Sequence, residues 1–151
     1  MLKKITFEDI LPFWENKLWP NRKTRIDPVS VIQFMGGHDL NIKKFTPTFW
    51  GYFNDKNIIG VNSGCKSSPI HYRSRGIYVE PEYRRTNIAF QLMQAVEGQG
   101  KHEECKVLWS MPRLTAIDFY KNFGFVQCSE WFDKDVEFGP NCFVYKNINI
   151  L

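Results

Sequence analysis

The chain has 151 residues, 43% hydrophobic and 24% charged, with a net charge of +4. That length supports one domain with a sizeable core and falls short of two, so a single domain over residues 1–151 is expected. The mild positive charge favours anionic ligands, but there is no clustered basic stripe, no nucleic-acid motif and no apolar run near the roughly 18 residues of a membrane span, so neither nucleic acid nor a membrane is an expected partner.

Residues 10–19 read as an amphipathic helix with Asp9 as N-cap, which places Pro12 in the first turn, where its missing N–H does no harm. Pro20 to Pro28 is polar and basic through Arg22, Lys23 and Arg25, and reads as a solvated loop, with an anion site as the alternative. Val31–Met35 is compatible with helix or strand, and Gly36-Gly37-His38-Asp39 is a turn. Phe49–Phe53 and Ile58–Val61 form a hairpin around Asn54-Asp55-Lys56-Asn57, residues that tolerate left-handed φ. Lys66-Ser67-Ser68-Pro69 makes the next turn.

His71 opens a strand that ends at Glu80, because Pro81 has no N–H for the ladder. Strand parity places Arg73, Arg75, Ile77 and Val79 on one face and Tyr78 and Glu80 on the other, unless a bulge intervenes. A helix follows to about Gly98, its apolar stripe made by Ala89, Leu92, Met93 and Val96 and its stop by Gly98-Gln99-Gly100. Val107–Met111 is a short apolar strand ended by Pro112. Thr115 is a candidate N-cap for a helix Ala116–Asn122, with Gly124 as its C-cap. Phe125–Phe132 and Asn141–Asn149 read as two closing antiparallel strands. The order suits a mixed α/β sheet.

Cys65, Cys105, Cys128 and Cys142 are separated by 40, 23 and 14 residues, so there is no C-x-x-C pair and no metal site is expected. Free thiols in a reducing compartment are the default, and the start of the chain lacks an apolar signal segment, so a cytoplasmic location is expected.

The chemistry concentrates at Arg84-Arg85-Thr86-Asn87-Ile88-Ala89, between strand and helix. A tight turn there leaves the first helical N–H groups unpaired, and with the helix dipole and two arginines they form a site for phosphate or pyrophosphate. These six residues resemble the acyl-CoA-binding pattern [Q/R]-x-x-G-x-[G/A] of the GNAT superfamily of N-acetyltransferases, with Asn87 in place of the glycine. Phe119-Tyr120-Lys121-Asn122-Phe123-Gly124-Phe125 resembles that family's second signature, F-Y-x-x-x-G-F, about 35 residues further on.

The resemblance implies the GNAT acyl-CoA N-acyltransferase fold, a mixed, mostly antiparallel sheet flanked by helices. It implies an acetyl-CoA-dependent N-acetyltransferase that moves an acetyl group to a primary amine by direct transfer in a ternary complex. Arg84, Arg85, Thr86, Asn87, Ile88, Ala89 and Phe90 would cradle the pyrophosphate of acetyl-CoA. The backbone of Tyr78 and Val79 would hold the pantetheine arm as an added strand, and Tyr120 would be the general acid. Asparagine visits positive φ more readily than most residues, so the turn survives Asn87, with weakened binding.

Glu80 and His71 are the nearest titratable candidates for the base, and a water relay is the third. Where family members often carry a Glu or His, this chain has Arg73-Ser74-Arg75, which suggests an anionic small-molecule or peptide acceptor. Arg113 stands where the family often has Asn, reaching cofactor phosphate or solvent. His102 and Cys105 lie in no nucleophile motif. The competing function is a GNAT-fold module that binds CoA or a partner without turnover. The oligomeric state is open, a dimer included.

Overall fold

The computed structural model describes residues 1–149. Seven strands form one sheet: β1 (Leu2–Ile5), β2 (Thr48–Asn54), β3 (Asn57–Lys66), β4 (His71–Val79), β5 (Val107–Ser110), β6 (Val126–Gln127) and β7 (Val144–Asn147). Their order is β1-β2-β3-β4-β5-β7-β6, antiparallel except for the parallel pair β4–β5. Three α-helices flank it: α1 (Phe7–Phe13), α2 (Ile88–His102) and α3 (Ile117–Phe123). The mixed, mostly antiparallel sheet is the expected fold class.

The first helix begins three residues before the predicted start. Thr6 and Asp9 form a reciprocal capping box, and this double satisfaction of orphan donors outweighs the awkward place of Pro12 inside the helix. Past the proline the helix widens into a π turn, Trp14–Leu18, closed by the Trp19 N–H on the Trp14 carbonyl at 2.7 Å. That turn carries Trp14, wholly buried with Ile10, Phe49 and Val61 on one face of the sheet. α2 and α3 cover the other face, where Tyr72, Met93, Val96, Leu108, Tyr120 and Phe123 pack together.

α2 runs to His102, through both glycines expected to stop it. Gly98 faces open space, whereas a Cβ on Gly100 would lie 3.1 Å from the Tyr72 ring and 3.2 Å from Ile148. Gly100 is therefore a contact glycine that lets the helix approach the sheet. Two further departures are local. Ala116, not Thr115, precedes α3, and no side chain caps it. The closing strands shrink to β6 and β7, and the loop between them is tied by the Phe132–Asn141 bridge. Gly124 does end α3, at φ 109°.

The β3–β4 register matters most for function. Val61 faces Tyr78 and Ser63 faces Arg75, so the single residue Asn62 opposes both Gly76 and Ile77. This bulge is built on Gly76 at φ 80°, and Asn62 fills it from within, accepting from the Ser63 N–H at 2.9 Å and the Ser74 hydroxyl at 3.1 Å. The extra residue inverts the parity expected for the strand. Ile77 and Val79 point toward Ile88 and Leu92 of α2, while Arg75 lies against Trp14 and Trp19 and Tyr78 against Phe13. Arg73 and Arg75 thus share a face with Tyr78, not with Ile77 and Val79.

All four cysteines are free thiols. Burial pushes the Cys65 thiol up to about 12 and Cys105 and Cys142 to about 11, and raises Cys128 as well. Each unit of upward shift cuts the thiolate fraction about tenfold, so iodoacetamide at pH 8 should label Cys65, Cys105 and Cys142, followed site by site, roughly 100-fold or more slowly in the native chain than in the urea-unfolded chain. Rapid labelling of Cys65 in the native protein would contradict this.

Candidate functional site

The sheet opens between β4 and β5. The two strands pair only from His71 to Arg73 against Val107 to Trp109, leaving Ser74–Val79 without a neighbour on that edge. The last tie is the Ser110 hydroxyl, which donates to the Ser74 carbonyl at 2.9 Å. Pro112 then turns the chain away, so the gap widens. A cavity of about 430 Å³ lies at this junction, walled by the 18–38 segment, β4 from Arg73 to Ile77, Ser110–Arg113 and the 135–141 loop.

Tyr120 reaches this cavity from α3. Its ring is held at 5.3 Å from Phe125, just beyond the Gly124 cap, and its hydroxyl lies 3.5 Å from the Ser110 Oγ. Burial raises its hydroxyl above the ordinary tyrosine value, while the Ser110 contact and the charge of Arg73 pull it partly back. The phenol is therefore neutral and can donate a proton.

At the far end of β4 the chain makes a 3-10 turn, Pro81–Tyr83, and then the strand-to-helix turn. Arg84 Nε donates to the Val79 carbonyl at 2.9 Å, and its guanidinium lies 5.5 Å from the centre of the Tyr78 ring. The Thr86 hydroxyl donates to the Tyr83 carbonyl at 2.6 Å. The residue in the left-handed region is Arg85, at φ 64°. Asn87 sits at φ −92° and ψ 17°, so the backbone at this position makes no demand for glycine. The expectation that Asn87 needs its tolerance of positive φ is thus corrected; what remains is the bulk of its side chain, which accepts from Gln91 Nε2 at 2.8 Å. The first α2 bond is the Gln91 N–H on the Asn87 carbonyl, and the N–H groups of Ala89 and Phe90 have no partner among the described residues. This donor set, beside Arg84 and Arg85, suits a pyrophosphate.

Glu80 does not join Tyr120. It lines a separate cavity beside α1 and sits 3.8 Å from Lys17 Nζ. The bulge and the turn after Val79 carry it away from the β4–β5 opening. His71 is also elsewhere: its Nδ1 lies 2.7 Å from the Ser68 hydroxyl, its ring rests on Phe34, and burial lowers its pKa. Asp39 caps a backbone turn through the Asn41 N–H at 2.9 Å, while His38 lines the Tyr120 cavity.

Sequence reasoning missed Arg22, Ser110, Asp135 and Glu137, all of which line the same cavity. Arg22 lies in a segment that reads as a solvated loop in preference to an anion site, and no role is read for Ser110, Asp135 or Glu137. Their convergence depends on contacts such as the Lys23 N–H on the Glu137 carboxylate at 2.7 Å, 114 residues apart. Arg113 lies away from the phosphate-binding turn and is half-buried. It donates to the Leu18 carbonyl and stacks on Phe138 at the cavity wall.

Among the described residues there is no cluster of three or more potential metal ligands, and no helix is long and apolar enough to cross a membrane.

A family model described as the acetyltransferase (GNAT) family matches residues 11–125. An acetyltransferase of the GNAT family from Staphylococcus aureus MU50 is similar over 99% of this chain and 99% of its own, at 18% identity and a TM-score of 0.66. Ard1 from Thermoplasma volcanium is similar over 66% of this chain and 69% of its own, at 21% identity and 0.60. The PaiA N-acetyltransferase from Thermoplasma acidophilum, solved in complex with coenzyme A, is similar over 67% of this chain and 60% of its own, at 21% identity and 0.56. At these identities the likeness is one of fold. No curated protein matches.

Proposed function

Because the chain belongs to the GNAT acetyltransferase family, we propose that it is an acetyl-CoA-dependent N-acetyltransferase, moving an acetyl group to a primary amine by direct transfer in a ternary complex. The observation that carries this reading is the open edge of β4, with the unpaired α2 donors at one end and Tyr120 at the other. Acetyl-CoA supplies an acetyl group already activated as a thioester. Residues 1–151 act as one domain in this reading, since a single sheet links β1 to β7. The free thiols are in keeping with a reducing cytoplasm.

The N–H groups from Arg85 to Phe90, with the charges of Arg84 and Arg85, hold the pyrophosphate at the positive end of α2. The β4 edge at Tyr78 and Val79, which has no neighbouring strand and whose Val79 carbonyl accepts from Arg84 Nε, would hold the pantetheine arm, and fixing both reactants would remove much of the entropic barrier. The Tyr120 hydroxyl would supply the proton that the leaving thiolate takes up. Glu80 lies in the other cavity and would act only through water. Asp135 and Glu137 line the cavity with Tyr120 and would accept the amine proton.

Calorimetric titration with acetyl-CoA tests the cofactor site. Micromolar affinity, about −8 kcal/mol, is expected. The Asn87→Gly variant should bind about tenfold tighter, because removing the side chain lets phosphate approach the backbone, while its stability changes by only a few tenths of a kcal/mol. Absence of binding in both forms would remove the acetyltransferase reading.

A further inference from the structure

We propose that the acceptor amine carries an oxyanion, a carboxylate or phosphate, and that Arg73, assisted by Arg22, Arg75 and Arg113, receives it. The inference rests on the transferase reading only in calling this ligand the acceptor.

All four arginines line the cavity that holds Tyr120. Each guanidinium lies over an aromatic ring: Arg22 over Trp19 at 5.2 Å, Arg73 over Trp109 at 5.0 Å, Arg75 over Trp14 at 4.9 Å and Arg113 over Phe138 at 5.2 Å. Stacking occupies the faces of these planar groups and leaves their N–H edges, whose fork geometry matches a carboxylate or phosphate. Arg22, Arg75 and Arg113 each spend one donor on the protein, on Thr24, the Asp27 carbonyl and the Leu18 carbonyl. Arg73 differs: its Nε and Nη1 are buried and have no partner among the described residues. A buried donor normally has one, and a buried charge normally has a counter-charge.

No carboxylate among the described residues forms a salt bridge with any of the four. The carboxylates lining the cavity are Asp135 and Glu137, two against four guanidiniums, and Glu137 already accepts the Lys23 N–H. Positive charge is thus in surplus. Burial lowers Arg73 to about 10 and Arg75 to about 9, and repulsion from Arg22 adds to both shifts. A bound oxyanion would relieve this strain.

The cofactor's own phosphates do not fill the role. Arg73 precedes Val79 by six residues of strand, about 20 Å at ~3.3 Å per residue, so it lies far from the pyrophosphate turn. Arg73 instead lines the same cavity as Tyr120. The oxyanion and the reacting amine are therefore near each other, as in an amino acid or an aminoalkyl phosphate.

Product-side binding separates this inference from turnover. The protein with bound CoA is titrated calorimetrically with N-acetylglycine, N-acetylglutamate and N-acetylphosphoethanolamine. Each is compared with its neutral counterpart, the amides for the first two and N-acetylethanolamine for the third. At least one oxyanion should bind about tenfold or more tighter than its neutral partner, and the arms distinguish carboxylate from phosphate. Arg73→Met should abolish that difference and Arg73→Lys should retain part of it, with CoA affinity kept as the sign of an intact fold. If Arg73→Met does not fold, Arg113→Met should still weaken the oxyanion and leave the neutral partner unchanged. Equal, absent or reversed discrimination across every pair overturns the inference. Should CoA itself fail to bind, the transferase reading falls, and the same titrations on the free protein decide the oxyanion site alone.

Discussion

Gly76→Ala should destabilise the chain by about 4 kcal/mol, combining the strain of a side chain at positive φ with overpacking in a filled interior. A Cβ there would lie 2.2 Å from Nε1 of Trp14 and 2.4 Å from its Cε2, and the backbone stands at φ 80°. Trp14 cannot yield readily. It is wholly buried, and its Nε1 donates to the Gly76 carbonyl at 2.9 Å. Denaturant unfolding measures the loss, and Gly98→Ala is the control. Gly98 faces open space within a helix, so alanine there should stabilise by about 1 kcal/mol. A Gly76→Ala protein as stable as wild type would mean that the bulge is not locked by Trp14. Because Arg75 stacks on Trp14, the ring that the new side chain would displace, any folded Gly76→Ala protein should also lose discrimination between anionic and neutral ligands.

Tyr120→Phe should lower kcat and kcat/KM together by about 10²- to 10⁴-fold, the usual range for a general acid, with acetyl-CoA affinity and thermal stability near wild type. Phenylalanine keeps the ring packed on Phe119 and Phe125, and among the described residues the hydroxyl makes only the 3.5 Å contact with Ser110. The pH profile provides an independent check. A general acid works while protonated, and burial holds the Tyr120 hydroxyl above its ordinary value of 10.0. Rising pH should therefore not switch it off below about pH 10. A descending limb below pH 9 that vanishes in Tyr120→Phe would refute the assignment, as would a variant that turns over at the wild-type rate.

Much of the site was legible because its parts are local in sequence. The strand ending at Pro81, the turn from Arg84 to Ala89 and the apolar stripe of α2 follow one another within about twenty residues, and the Tyr120 helix carries its own Gly124 stop. Short-range rules about ladders, caps and helical periodicity suffice there. They failed where two local rules competed or where a partner was remote. The Thr6–Asp9 box prevailed over the placement of Pro12, and Gly100 reads as a stop only until Tyr72 is seen above it. The four-residue strand β1 has too few residues to show a period, and its partner Phe49–Tyr52 lies over forty residues away.

The sequence alone determined the strand-turn-helix order around Arg84 to Ala89 and the family resemblance, and through that resemblance named Tyr120 as the candidate acid, because each motif is a pattern within one contiguous segment. Only the tertiary structure decided which groups meet in the cavity. The bulge at Gly76 turned Ile77 and Val79 away from the face that Arg73 and Arg75 share with Trp14 and Trp109, and the turn after Val79 took Glu80 into another cavity. Arg22, Arg113, Asp135 and Glu137 joined Tyr120 from segments up to about 100 residues distant. The reason is geometric: one inserted residue inverts every side chain beyond it in a strand, and no local periodicity records where a loop folds back.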